Sequence, residues 1–196
     1  MSYVNVFLGP DFISVISDGK VTASNGSTEN NRFKKFIVTN SKVVVSATGS
    51  HGLALALFDI IKKQYNESTY DQINDFILKM FQENKGLTNV ENNLIDMQII
   101  VAGLENNGTI ARAYQFLQSE NKFGEVNYKS NAVISMNPPD LESIFDYLYQ
   151  DVNYIVNGKF SVNMVKKRQK LVLSKVANKS DSVNAVVFQE VIRWKM

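Results

Sequence analysis

Short apolar stretches separated by polar turns dominate the first quarter of the chain and predict strands rather than helices. Residues 3–8, Tyr-Val-Asn-Val-Phe-Leu, form the first and stop at Gly9-Pro10-Asp11, a strong turn signal. Residues 12–17 form the second and run into Asp18-Gly19, a dipeptide that tolerates the positive φ of a tight hairpin. Residues 20–23 continue the sheet. Residues 24–31 are polar and predict an exposed loop. Residues 33–39 and 43–48 read as another hairpin around Asn40-Ser41. The apolar period then changes. Leu53, Leu57, Ile60 and Ile61 recur at helical spacing, and Ser68 is placed to cap a second helix with Ile73, Phe76, Ile77, Met80 and Phe81 on one face.

Beyond a loop over residues 84–93, strands return at 97–104 and 109–117, joined by the turn Glu105-Asn106-Asn107-Gly108. Residues 126–136 predict one further extended run, broken by Pro138-Pro139. Asp140 can cap a helix with Leu141, Ile144, Phe145 and Leu148 inward. Ser161 can cap another that includes Val165, Val172, Leu173 and Val176, and residues 183–194 close the chain as a strand. Helices segregated from strands in two pairs predict layers, not alternating βαβ units: an α+β fold of two antiparallel sheets packed face to face, with a helix pair outside each. One domain over residues 1–196 is expected.

Composition narrows the chemistry. There is no cysteine, and His51 is the single histidine. Thiolate chemistry is excluded, no metal site or cofactor is expected, and His51 reads as a plain loop histidine. The formal net charge is +2 and no apolar run is long enough to span a bilayer, so neither nucleic acid nor membrane is expected as a partner. A cytoplasmic location follows by default. The basic run Lys166-Lys167-Arg168-Gln169-Lys170 reads as a solvated helix face, and Trp194 as core.

The candidate chemistry lies in the first third. Ser2 stands behind Met1 at the head of the first strand, Asp18 follows sixteen residues later, Lys34-Lys35 lies in the 33–39 strand, and Gly49-Ser50-His51-Gly52 opens the first helix. A serine at a freed N-terminus carries a nucleophilic hydroxyl and an α-amine of pKa about 7.7–8.0 that can take its proton.

In this spacing, traced without a gap from Ser2 to Phe58, the chain resembles the proteasome β-subunit family of N-terminal-nucleophile hydrolases. The nearest likeness is to the peptidase subunit of the bacterial two-component ATP-dependent protease. The resemblance implies a four-layer αββα sandwich, which agrees with the order of elements read above. It implies Ser2 as nucleophile, its own amine as base, Lys34 as supporting cation paired with Asp18, and the Gly49 N–H as oxyanion donor. Lys35 competes with Lys34, because a one-residue slip exchanges the two sides of a strand. A substrate pocket would map to Val21, Phe36, Ser46, Ser50 and Ala54, suited to an apolar side chain. A peptide or small amide substrate, a homo-oligomer and an ATPase partner are implied in the same way.

Two stretches depart from the family. Ser135-Met136-Asn137-Pro138-Pro139 stands where the family has small and glycine-rich residues. Asn178-Lys179-Ser180-Asp181-Ser182 stands where it pairs an Asp with a downstream Ser. Two functions follow: an enzyme acting through Ser2 after removal of Met1, or a non-catalytic subunit that keeps the fold as a structural or binding module.

Overall fold

A computed structural model describes residues 2–22, 27–83, 96–105, 108–117, 122–138, 141 and 161–193. Strand β1 (Val4–Leu8) turns at Gly9-Pro10-Asp11 into β2 (Phe12–Ser17). The ribbon β3 (Val21–Thr22) and β4 (Thr28–Asn30) follows, then β5 (Phe36–Val38) and β6 (Val44–Gly49). Helices α1 (His51–Gln64) and α2 (Tyr70–Glu83) precede β7 (Asp96–Glu105), β8 (Gly108–Leu117), β9 (Lys122–Lys129) and β10 (Ala132–Met136). Helix α3 (Val162–Ala177) and β11 (Phe188–Arg193) complete the described chain.

The strands form two antiparallel sheets, ordered β10-β1-β2-β11 and β5-β6-β7-β8-β9. The alternation of side chains along each strand builds two cores on each sheet. Val4, Val6, Leu8, Ile13 and Val15 meet Phe36, Val44, Ile100 and Ala102 between the sheets. On the outer face of the five-stranded sheet, Ile37, Val45, Ala47, Ile99 and Val101 pack under Ala54, Leu57 and Ile61 of α1 and Ile73 and Ile77 of α2. On the outer face of the other sheet, Tyr3 and Ile16 pack under Val172, Leu173 and Val176 of α3. The predicted layering holds: two antiparallel sheets face to face, with helices outside. The helix expected to follow Asp140 and the strand end at Trp194 lie outside the described residues, apart from a buried Leu141.

Five local expectations are corrected. Asp18-Gly19 does not turn a hairpin, because β2 pairs with β1 and β11 while β3 pairs with β4. The described end of the expected loop over 24–31 is strand β4, exposed and polar because it belongs to a two-stranded ribbon with no core beneath it. Thr69, not Ser68, caps α2: its hydroxyl accepts from Gln72 N–H at 3.4 Å while the Gln72 side chain accepts from Thr69 N–H at 2.9 Å, a reciprocal capping box. The extended run over 126–136 is two strands in different sheets. Ser130-Asn131 carries the crossing, with Asn131 at φ 68° and its N–H on Leu8 O at 2.7 Å. Within the basic run, Gln169 is buried at 1% exposure. Its amide accepts from Ser14 Oγ at 2.6 Å and donates to Asn5 Oδ1 at 2.8 Å.

Candidate active site

Asp18 organises one end of the sandwich. It follows β2 directly and is fully buried. Its Oδ1 accepts from Tyr3 N–H at 2.9 Å and from Lys35 Nζ at 2.7 Å, and its Oδ2 accepts from Lys20 N–H at 2.8 Å. The main chain reciprocates, with Asp18 N–H on Tyr3 O at 3.2 Å. The residue next to Ser2 is thus held from both directions, and Ser2 itself is half-buried. Three donors satisfy a carboxylate that has lost all its water, which is the condition for burying one.

Lys35 is 2% exposed and also reaches Asp18 O at 3.3 Å. Burial pushes its ammonium below the ordinary lysine value of 10.5, against the opposing pull of Asp18. The Lys35 carbonyl accepts from Ala47 N–H at 3.1 Å, which fixes the approach to β5 against β6.

The expected Asp18–Lys34 pair is therefore corrected to Asp18–Lys35. Lys34 turns the other way, to Glu190 on β11, with its Nζ 4.4 Å from the centre of the Phe36 ring. Neighbouring residues in extended chain point to opposite sides, so only one of the two adjacent lysines faces Asp18. The intervening β3–β4 ribbon carries a register irregularity at Val21/Thr22.

Gly49 ends β6 at φ 106°, and a Cβ there would stand 2.1 Å from Asp96 O. Only glycine fits that close approach. Ser50 is the N-cap of α1 in extended conformation, without a side-chain cap bond. His51 is the first residue of α1, not a loop histidine. Its ring meets Phe33 edge-on at 4.5 Å, and its Nδ1 lies 3.9 Å from Glu29.

The five expected pocket residues do not form one wall. Phe36 belongs to the core between the sheets, and Ser46, fully buried, is its register partner on β6. Ala54 lies in the core under α1, across the same sheet, where Ile37 and Ala47 share its side. Val21 is buried on the ribbon, and Ser50 caps the helix.

The loop after α3 closes the site from the C-terminal side. Asn178, at the position expected for an acid, is the C-cap of α3, its N–H on Ser174 O at 3.1 Å. Ser180 is buried with its hydroxyl 2.8 Å from Ser182 Oγ, and the Asp181 carbonyl accepts from Lys20 Nζ. Asn184 binds Gly19 N–H at 2.9 Å. Neither Lys20 nor Asn184 is marked by any spacing, because both act through main-chain groups of segments remote in sequence.

No family model and no curated protein matches the chain. Solved structures do. Eukaryotic HslV from Trypanosoma brucei superposes with a TM-score of 0.66 at 12% identity, covering 98% of this chain and 99% of that one. Anbu, the ancestral beta-subunit, from Yersinia bercovieri superposes with a TM-score of 0.66 at 10% identity, covering 97% of this chain and 82% of that one. The chain has the α+β fold of these proteasome-β-like N-terminal-nucleophile hydrolases over nearly its whole length.

Proposed function

We propose that the chain is a proteasome-like hydrolase that cleaves an amide or peptide bond through an acyl-enzyme on Ser2, once Met1 is removed. The observation that carries this reading is the buried Asp18–Lys35 pair bonded to the main chain at Tyr3, one residue from the serine. A buried ion pair costs desolvation and is weak evidence for stability, but it is a direct way to hold a cation at a reacting centre.

In this mechanism the Ser2 hydroxyl attacks the substrate carbonyl and its proton passes to the α-amine of the same residue. Lys35, in the role first expected of Lys34, stabilises the developing alkoxide and favours the neutral amine. The Gly49 N–H donates to the oxyanion. Collapse of the tetrahedral adduct breaks the C–N bond, and the α-ammonium returns its proton to the departing amine. Water, deprotonated by the same α-amine, then hydrolyses the ester and restores Ser2. Until Met1 is gone the nitrogen of Ser2 is an amide and cannot act as base. The substrate class is a peptide or small amide. Self-assembly and an ATPase partner belong to this reading through the family likeness alone.

Intact mass, followed by labelling with a serine-directed acylating probe, tests the proposal. Protein lacking Met1 is expected to be labelled at Ser2, and Ser2→Ala to be unlabelled. Lys35→Ala is expected to label at least about 10²-fold more slowly, while Lys34→Ala keeps the wild-type rate. A retained Met1, or equal labelling of Ser2→Ala, leaves the non-catalytic module as the function.

A further inference from the structure

We infer that Asn184 is a positioning residue for the Asp18–Lys35 pair, an inference that rests on the reading above. Its side chain ties together three segments that share no sequence neighbourhood. Oδ1 accepts from Gly19 N–H at 2.9 Å and from Val186 N–H at 3.3 Å, and Nδ2 donates to Asn31 O at 3.0 Å. Gly19 O in turn accepts from Phe33 N–H at 2.9 Å, two residues before Lys35. The corner that bears Asp18 and the strand approach that bears Lys35 are therefore both fastened to one amide.

The fit around that amide is close. A Cβ on Gly19 would stand 2.6 Å from Asn31 O and 3.0 Å from Val186 Cγ1, so the Asn31 carbonyl and the Val186 side chain leave no room for a side chain at the corner. Lys20 reinforces the corner, with its N–H on Asp18 Oδ2 at 2.8 Å and its Nζ on the Asp181 carbonyl. The carboxylate of Asp18 is thus aimed from one side by Tyr3 and from the other by the Gly19-Lys20 backbone. Removing the Asn184 amide leaves the Gly19 N–H without its acceptor, and a corner with a lost anchor no longer dictates where the carboxylate points.

The geometry separates this role from general support. Thr109 stabilises the opposite end of β1, where its hydroxyl donates to Gly9 O at 2.5 Å and lies 3.2 Å from Ser130 Oγ. Loss of that hydroxyl weakens the fold without touching the Asp18 corner.

The test uses the full chain and two independent readouts: the labelling rate of Ser2 by a serine-directed acylating probe, and the NMR signal of the Lys35 side chain. Asn184→Ala is expected to slow labelling at least about tenfold and to move the Lys35 signal in the direction that Asp18→Asn moves it. Asn184→Asp keeps the acceptor for Gly19 and is expected to recover part of both. Thr109→Val is expected to move neither, even where it lowers the melting temperature as much. An unmoved Lys35 signal in Asn184→Ala overturns the inference, whatever the labelling. A moved Lys35 signal in a protein whose wild type is never labelled at Ser2 retains the positioning role and rejects the acyl-enzyme reading.

Discussion

The two ends of strands β1 and β2 are closed by opposite means. At one end, the turn after Leu8 is held by neutral groups: Gly9 N–H on Phe12 O at 2.8 Å, Asn131 N–H on Leu8 O at 2.7 Å, and the Thr109 hydroxyl on Gly9 O. At the other, a buried carboxylate and a buried ammonium meet at 2.7 Å. Hydroxyls and main-chain groups suffice to close the first end, and the same means were open to the second. A charge pair there bears a desolvation cost that neutral hydrogen bonds avoid. On the proposed reading, the Thr109 end is architecture and the charged Asp18 end serves the chemistry.

The strongest test of that contrast removes one charge. Asp18→Ala leaves Lys35 buried without its counter-ion and is expected to cost on the order of 3–5 kcal/mol in denaturant unfolding, the penalty of a stranded charge. Exchanging both members for neutral residues, as Asp18→Asn with Lys35→Met, is expected to restore much of that stability while Ser2 stays unlabelled. Recovery of labelling along with stability would make the pair a structural one.

A smaller effect is expected at the neutral end. Thr109→Val removes the hydroxyl that serves Gly9 and Ser130, and about 1–3 kcal/mol of stability should go with it. Acylation of Ser2 should continue at the wild-type rate. A parallel loss of labelling would show that the two ends are mechanically coupled and erase the division of labour.

The smallest expected effect is a slope with pH. Burial holds the Lys35 ammonium below the ordinary lysine value of 10.5. The unfolded chain therefore binds more protons than the folded one between the two values, and stability contributed by this group rises as pH climbs from the folded pKa to 10.5. Unfolding measured against Lys35→Met should show the wild type gaining relative stability across that alkaline window. A flat difference would mean that Lys35 is hydrated and the charged end is not dry.

Periodicity carried most of the fold. The hairpin of β7 and β8 was legible from two apolar runs around a Gly-containing turn, and α3 from Ser161 and its inward stripe, where the Ser161 hydroxyl accepts from Met164 N–H at 3.2 Å. Less legible were features whose cause lies across the fold. The division of 126–136 between two sheets depends on what Ser130 and Asn131 touch, namely Thr109 and Leu8. Gln169 hides in a basic run because its partners lie on other elements, Ser14 and Asn5 over 150 residues away and Gln189 on the last strand.

Sequence alone determined that strands and helices segregate into layers, that no cysteine takes part, and how Ser2, Asp18, the lysine pair and Gly49 are spaced along the chain. The tertiary structure decided which lysine faces the carboxylate, which side of the five-stranded sheet Phe36, Ser46 and Ala54 occupy, and which main-chain groups the Asn184 amide binds. The physical reason is the two-residue period of extended chain. Composition and order survive a slip of one residue, but the facing of every side chain reverses, and only pairing with neighbouring strands fixes that choice.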